Sequence, residues 1–195
     1  MKSVKVTREQ MTRRMASFKD LKSYQYQQEA ANGIPVEVMQ KIAAHRVYPL
    51  MCPETYTGRS AQAPLKGAPG IVLSIAECPP GDGPATHIHE QTIETFFCLS
   101  GRFEVAWGDA GAEERVILEP LDFLSVPPGV PRRFTNVHAS ETGRLFVIIH
   151  VQTAEQGDRI GFQPELRTEI ERKHGQKTVE ALDRIGIKFD AGVEA

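Results

Sequence analysis

The sequence predicts an all-β core flanked by helical extensions, and two observations carry that expectation. From Ile71 to Val151, short runs rich in Val, Ile, Phe and Thr alternate with turn clusters. In order they read IVLSIAEC before PPGDG, TFFCLS before Gly101, RFEVAW before GDAGAE, RVIL before EPLD, FLSV before PPGVP, RRFTNV before ASETG, and RLFVIIHV. Strands spaced this closely leave no room for crossover helices, so an antiparallel sandwich or barrel is expected. Composition also shifts near residue 70 and again near 153. The chain therefore divides into an N-terminal extension of helices and arm (1–69), a single β-barrel (70–152) and a C-terminal helical extension (153–195).

The extensions carry helix punctuation. Thr7 with Gln10 forms a capping box, and Met11, Met15 and Phe18 follow at helical spacing as packing residues. Pro35 opens a second helix whose stripe is Val36, Val38, Met39, Ile42 and Ala43. Pro49 to Pro69 reads as a loop or extended arm. Beyond residue 153, Pro164 sits in a first turn, Leu166 and Ile170 lie four apart, and Gly175 ends the helix. Val179, Leu182 and Ile185 then mark another helix before Gly186. Such amphipathic helices need a second surface, so they are expected to cover the barrel or to form a homodimer interface.

Composition excludes several partner classes. The 195 residues are 41% hydrophobic and 25% charged, with 23 basic against 25 acidic side chains and a net charge of −2. Nothing in that balance attracts a phosphate backbone or an anionic membrane, so neither nucleic acid nor membrane is an expected partner. The longest purely apolar stretch, Leu145 to Ile149, is far below the ~20 residues of a bilayer span. No apolar segment of signal-peptide type follows Met1, and a soluble cytoplasmic protein is expected. Cys52, Cys78 and Cys98 lie far apart and form no C-x-x-C pair, so buried free thiols are expected.

The chemistry concentrates in one string: Gly81, His87, His89, Glu94 and Gly101. Residues i and i+2 of a strand share a face, so His87 and His89 aim their rings into one cavity. Glu94 follows a bend and adds a carboxylate from the neighbouring strand. Two imidazoles and one carboxylate match the triad that leaves open positions on a divalent metal.

At these residues the chain resembles the cupin family. GDGPATHIHEQTIETFFCLSG carries all five fixed residue types of the first cupin motif, and the resemblance covers roughly residues 70 to 151. It implies a small jelly-roll β-barrel with a metal in its mouth and, often, a dimer. In the second motif, LDFLSVPPGVPRRFTN, the residues Pro127, Gly129 and Asn136 match. Leu121 stands where the family has Gly, and Arg132 stands where it has a third histidine. Arg132 shares a face with Phe134 and Asn136, so it is expected to project toward the cavity. A guanidinium cannot ligate a metal. With a divalent ion bound, the formal sum over metal, Glu94 and Arg132 is about +2, which favours an anionic ligand.

The expectation is a metal-dependent enzyme, a non-haem Fe(II) dioxygenase by analogy with the triad, acting on a small anionic organic substrate. His87, His89 and Glu94 would be the ligands, Arg132 would hold the substrate's charge, and Mn, Ni or Zn are alternative metals. Two other readings stand beside it. One is a metal-free or non-catalytic binding cupin in which Arg132 pairs with Glu94; the other is an isomerase or epimerase, which needs a general base. Among the remaining residues, His138 is expected at the surface, His150 in the core and His174 at a helix end. Cys98 is expected in the core, and Phe103, Val105 and Trp107 on one apolar face. His45, Arg46, Tyr48, Tyr56 and Arg59 belong to a segment that could cover the barrel mouth.

Overall fold

Each β-branched or aromatic run between Ile71 and His150 forms a strand, because alternate side chains on it reach a shared core. The computed structural model describes residues 2–109, 111–150 and 159–192. Its strands are β1 (Arg46–Pro53), β2 (Leu65–Gly67), β3 (Ile71–Cys78), β4 (His87–His89), β5 (Ile93–Ser100) and β6 (Phe103–Trp107). They continue with β7 (Glu114–Leu118), β8 (Phe123–Val126), β9 (Arg132–Asn136), β10 (Gly143–His150), β11 (Ile160–Phe162) and β12 (Ile187–Lys188). The helices are α1 (Arg8–Thr12), α2 (Tyr24–Asn32), α3 (Val36–Ile42), α4 (Pro164–His174) and α5 (Gln176–Arg184).

The strands of the expected jelly-roll barrel form two six-stranded sheets, ordered β2-β1-β3-β10-β5-β8 and β12-β11-β4-β9-β6-β7, with no closed barrel among the described residues. Pairing is antiparallel except for the outer pairs β1–β2 and β11–β12. The architecture is consistent with a cupin jelly roll, and its helices make "all-β" a description of the core alone. Both sheets contribute to one hydrophobic core. There Phe96 of β5 meets Phe134 of β9 edge to face, with ring centroids 5.3 Å apart.

The extensions are woven into the sheets. The stretch expected as a loop from Pro49 begins inside β1, which pairs with β3 along most of its length. Proline donates no ladder hydrogen bond, and Pro49 sits where the register shifts before Met51, a position that tolerates it. Strands β2, β11 and β12 have two or three residues each, too few to leave an alternation in the sequence. The expected boundary at 152/153 lies outside the described residues.

The helix signals fared unevenly. The Thr7 capping box is present: Gln10 N–H donates to Thr7 Oγ1 at 3.1 Å, and Thr7 N–H donates to Gln10 Oε1 at 2.8 Å. Yet Met11 and Met15 are 58% and 69% exposed among the described residues, so they do not act as the packing residues expected. In α3, α4 and α5 the stripes bury as expected, through Val38, Met39, Ile42, Leu166, Ile170, Val179 and Leu182. The C-terminal helices thus find their second surface within their own chain. Helix α2, which the sequence did not reveal, opens with five consecutive Tyr and Gln positions that give no apolar stripe. Among the described residues, no helix is long and apolar enough to cross a membrane.

Two turn positions show what the backbone demands. Gly101 has φ +81°, and a Cβ there would meet Gly143 Cα at 2.5 Å. Leu121 has φ +78°, a left-handed conformation that suits the glycine it replaces in the second motif.

Candidate metal centre

Strand β4 places His87 and His89 on one face, and β5 turns Glu94 toward them from the other sheet. All three are buried. Glu94 Oε2 lies 3.8 Å from His87 Nε2 and 3.5 Å from His89 Nε2, and one ligand atom from each residue lies within 4.8 Å of the others. Donors about 2.1 Å from a common ion stand about 3.0 Å apart at right angles and about 4.2 Å apart when opposed. The carboxylate–imidazole separations fall in that interval, so these residues fit a divalent ion.

The outward nitrogens of both rings are already engaged. His87 Nδ1 lies 2.9 Å from the Ala85 carbonyl oxygen, to which it can only donate, and that bond leaves the lone pair on Nε2. His89 Nδ1 lies 3.1 Å from Thr92 Oγ1, a contact that leaves Nε2 facing Glu94. Holding a ring by the nitrogen that does not ligate orients it for a metal. Burial lowers the His87 pKa against the upward pull of Glu94, so the ring is kept neutral and able to ligate. Burial on its own would raise the Glu94 carboxyl. His89, the His87 hydrogen bond and Arg132 outweigh it and hold the group well below the usual carboxylate range.

Arg132 enters from β9, paired in register with His87. Its Nε donates to Glu94 Oε2 at 3.1 Å and its Nη1 to the Val130 carbonyl at 2.9 Å. Its buried Nη2 meets no acceptor among the described residues. The side chain is fully buried and is not among those lining the cavity in front of the histidines. The sequence therefore located Arg132 beside Glu94 but did not show that it sits behind the carboxylate.

That cavity is small, about 70 Å³. Its polar wall comes partly from the N-terminal third, through Tyr24, Tyr56, Arg59 and Ser60. Of the residues expected to cover the mouth, Tyr56 and Arg59 do reach it. His45 instead pairs with Asp82 at 3.3 Å, Arg46 approaches Glu77 at 4.0 Å, and Tyr48 packs on Phe18. Tyr24 had no sequence signal: it opens a polar helix and is buried by the packing of α2 on α3 and β1. Burial pushes its hydroxyl pKa far up, with Arg59 opposing.

The other candidates lie away from the site. His138 is half-buried and accepts the Glu141 amide at 2.9 Å through Nδ1, so it closes a turn. His150, expected in the core, is exposed: it ends β10 on the face opposite Val147 and Ile149. His174 ends α4, 3.8 Å from Glu37. Cys52, Cys78 and Cys98 are free and buried, and burial pushes the Cys98 thiol up to about 11. Phe103 and Val105 are buried, with Trp107 half-buried at the strand end.

Residues 74–149 match the family model described as "Cupin domain". No curated protein matches the chain. Among solved structures it is similar to Peruvianin-I, a cysteine peptidase from Thevetia peruviana latex (15% identity over 44% of this chain and 53% of that one, TM-score 0.39). It is also similar to a putative sugar phosphate isomerase from Acidithiobacillus ferrooxidans (20%, 42% and 50%, 0.37) and to the Cnp3 cupin domain of Schizosaccharomyces pombe (18%, 55% and 65%, 0.40). The chain thus spans about half to two thirds of the length of these structures. The family model thus places a cupin domain at residues 74–149 of the chain.

Proposed function

We propose that this cupin is a mononuclear metal enzyme acting on a small anionic organic molecule, with oxygenation by non-haem Fe(II) as the reaction class. The observation that carries the reading is the convergence of His87 Nε2, His89 Nε2 and a Glu94 oxygen, with the distal ring nitrogens turned away. A divalent ion held there would supply Lewis acidity and, as Fe(II), the electrons that dioxygen chemistry requires. Three protein ligands leave coordination positions for small molecules.

The protein's own residues supply binding and exclusion. Arg59 faces the cavity and is the cation we assign to the substrate's negative charge, while Arg132 adds its charge from behind Glu94 and steadies that carboxylate. Apolar neighbours, among them Val147, Ile149 and Ile160, limit water and strengthen the electrostatic attraction. A cavity of about 70 Å³ selects a compact substrate.

The buried Glu94–Arg132 pair favours a second reading, in which the carboxylate has a cation partner without any metal and the cupin binds an anion without turning it over. Arg59→Gln separates binding from metal loading. The enzyme reading predicts unchanged metal content, and a KM for a small carboxylate raised at least tenfold in oxygen-uptake assays. Carboxylate binding by isothermal titration with no metal in the purified protein, and no turnover after Fe(II) loading, supports the second reading instead.

A further inference from the structure

Helix α2 borders two cavities. Its first residue, Tyr24, lines the small cavity in front of the histidines. Ser23, Tyr26, Gln27 and Ala30, spaced as one helical face, line a separate groove of about 810 Å³. Strand β1 supplies the facing wall through Arg46 and Tyr48. The charged lining is cationic: Lys22 and Arg46 contribute to it, and no carboxylate does among the described residues. Glu77 comes within 4.0 Å of Arg46 but is held at 2.8 Å by Arg144, so the Arg46 guanidinium has no close carboxylate of its own. Ser23 is the N-cap residue of α2, yet its side chain makes no capping bond. It is 3% exposed, and its hydroxyl has no hydrogen-bond partner among the described residues. A buried hydroxyl left unpaired costs stability, and a helix start without a side-chain cap keeps a positive end that an anion satisfies. One turn on, Gln27 Nε2 donates to the Lys22 carbonyl at 3.1 Å, which fixes the amide and leaves Oε1 without a partner. That oxygen can only accept, so it calls for a donor on a ligand.

We propose that this groove is a second ligand site, distinct from the metal cavity, for a small phosphate monoester that carries a ring and a hydrogen-bond donor. The phosphate meets Lys22, Arg46 and the start of α2, where a serine hydroxyl can turn among its staggered positions to reach it. A phosphate monoester brings a charge of about −2 at neutral pH and three strong acceptor oxygens, which suit two cations, a hydroxyl and a helix N-terminus better than a singly charged carboxylate does. The ring lies along Tyr26, which is 52% exposed, and beside Tyr48, whose ring meets Phe18 at 4.9 Å. The donor, a hydroxyl or amine of the ligand, satisfies Gln27 Oε1. The volume falls within the ~300–1,000 Å³ of small-molecule sites. The site does not rest on the proposed metal chemistry.

Isothermal titration of the chelator-treated full chain with adenosine 5′-monophosphate, phenyl phosphate, inorganic phosphate and adenosine tests this. At least one of the two esters is expected to bind with a Kd below about 1 mM, more tightly than inorganic phosphate or adenosine. Arg46→Gln should weaken that binding at least tenfold and Ser23→Ala at least threefold. Ser23→Ala should do so without lowering the urea midpoint, because a methyl group replaces a hydroxyl that has no partner in the free protein. His89→Ala should bind the ester as the wild type does, which separates this groove from the metal cavity. Circular dichroism checks that each variant keeps the fold. No binding of either ester overturns the proposal, as does binding that Arg46→Gln leaves unchanged, adenosine bound as tightly as its phosphate, or loss of binding in His89→Ala.

Discussion

Arg132 and Glu94 form a buried pair at the centre of the candidate site. The Arg132 guanidinium is fully buried and spends Nε on Glu94. Removing one member of a buried pair strands the other, at about 3–5 kcal/mol. Arg132→Met is therefore expected to destabilise the metal-free protein by ~3 kcal/mol in urea unfolding with a chelator present. The loss should shrink when Mn(II) is added, because a bound cation takes over the neutralisation of Glu94. An equal loss with and without Mn(II) would place the ion away from Glu94. The convergence of His87, His89 and Glu94 was legible in the sequence, since i and i+2 alternation and a fixed spacing determine where they point. Arg59 and Tyr24 were not, because their place at the cavity depends on how the N-terminal third packs, which no local period encodes.

At the scale of elements, strands of four or more residues inside the cupin segment were readable from alternation and turns. Strand β1 was hidden by Pro49, whose tolerance depends on a register shift that exists only once β3 is paired. His150 shows the converse: an apolar run suggested burial, but the second set of positions on β10 faces outward. Leu121 yields a prediction here. It holds φ +78° in the turn into β8 and is 74% exposed, so its side chain gains little and strains the backbone. Leu121→Gly should stabilise the fold by about 1 kcal/mol, read as a higher urea midpoint at unchanged slope. A lower midpoint would mean that the exposed leucine is covered in solution.

For the whole molecule, the proposed metal site links ion binding to stability. The candidate ligands come from β4 and β5, which belong to different sheets, so an ion bound there would tie the two sheets together. A ligand that binds only the folded state at 100 times its Kd adds about 2.7 kcal/mol. Saturating Mn(II) or Zn(II) should accordingly raise the melting temperature by several degrees at neutral pH. The gain should fade as pH drops, since a protonated imidazole has no lone pair for the ion and the folded protein then competes with protons for its ligands. Melting curves with and without ion, from pH 5 to 8, check both the size and the sign; a gain that grows in acid would contradict the ligand set.

Whether His87, His89 and Glu94 bind one ion together decides the proposed function. Anaerobic isothermal titration of the chelator-treated full chain with Fe(II) and Mn(II), beside His89→Ala, tests that most directly. The expected result is one ion per chain for the wild type and at least tenfold weaker binding for the variant, with circular dichroism unchanged. Failure of the wild type to bind any divalent ion, or equal binding by His89→Ala, would contradict it.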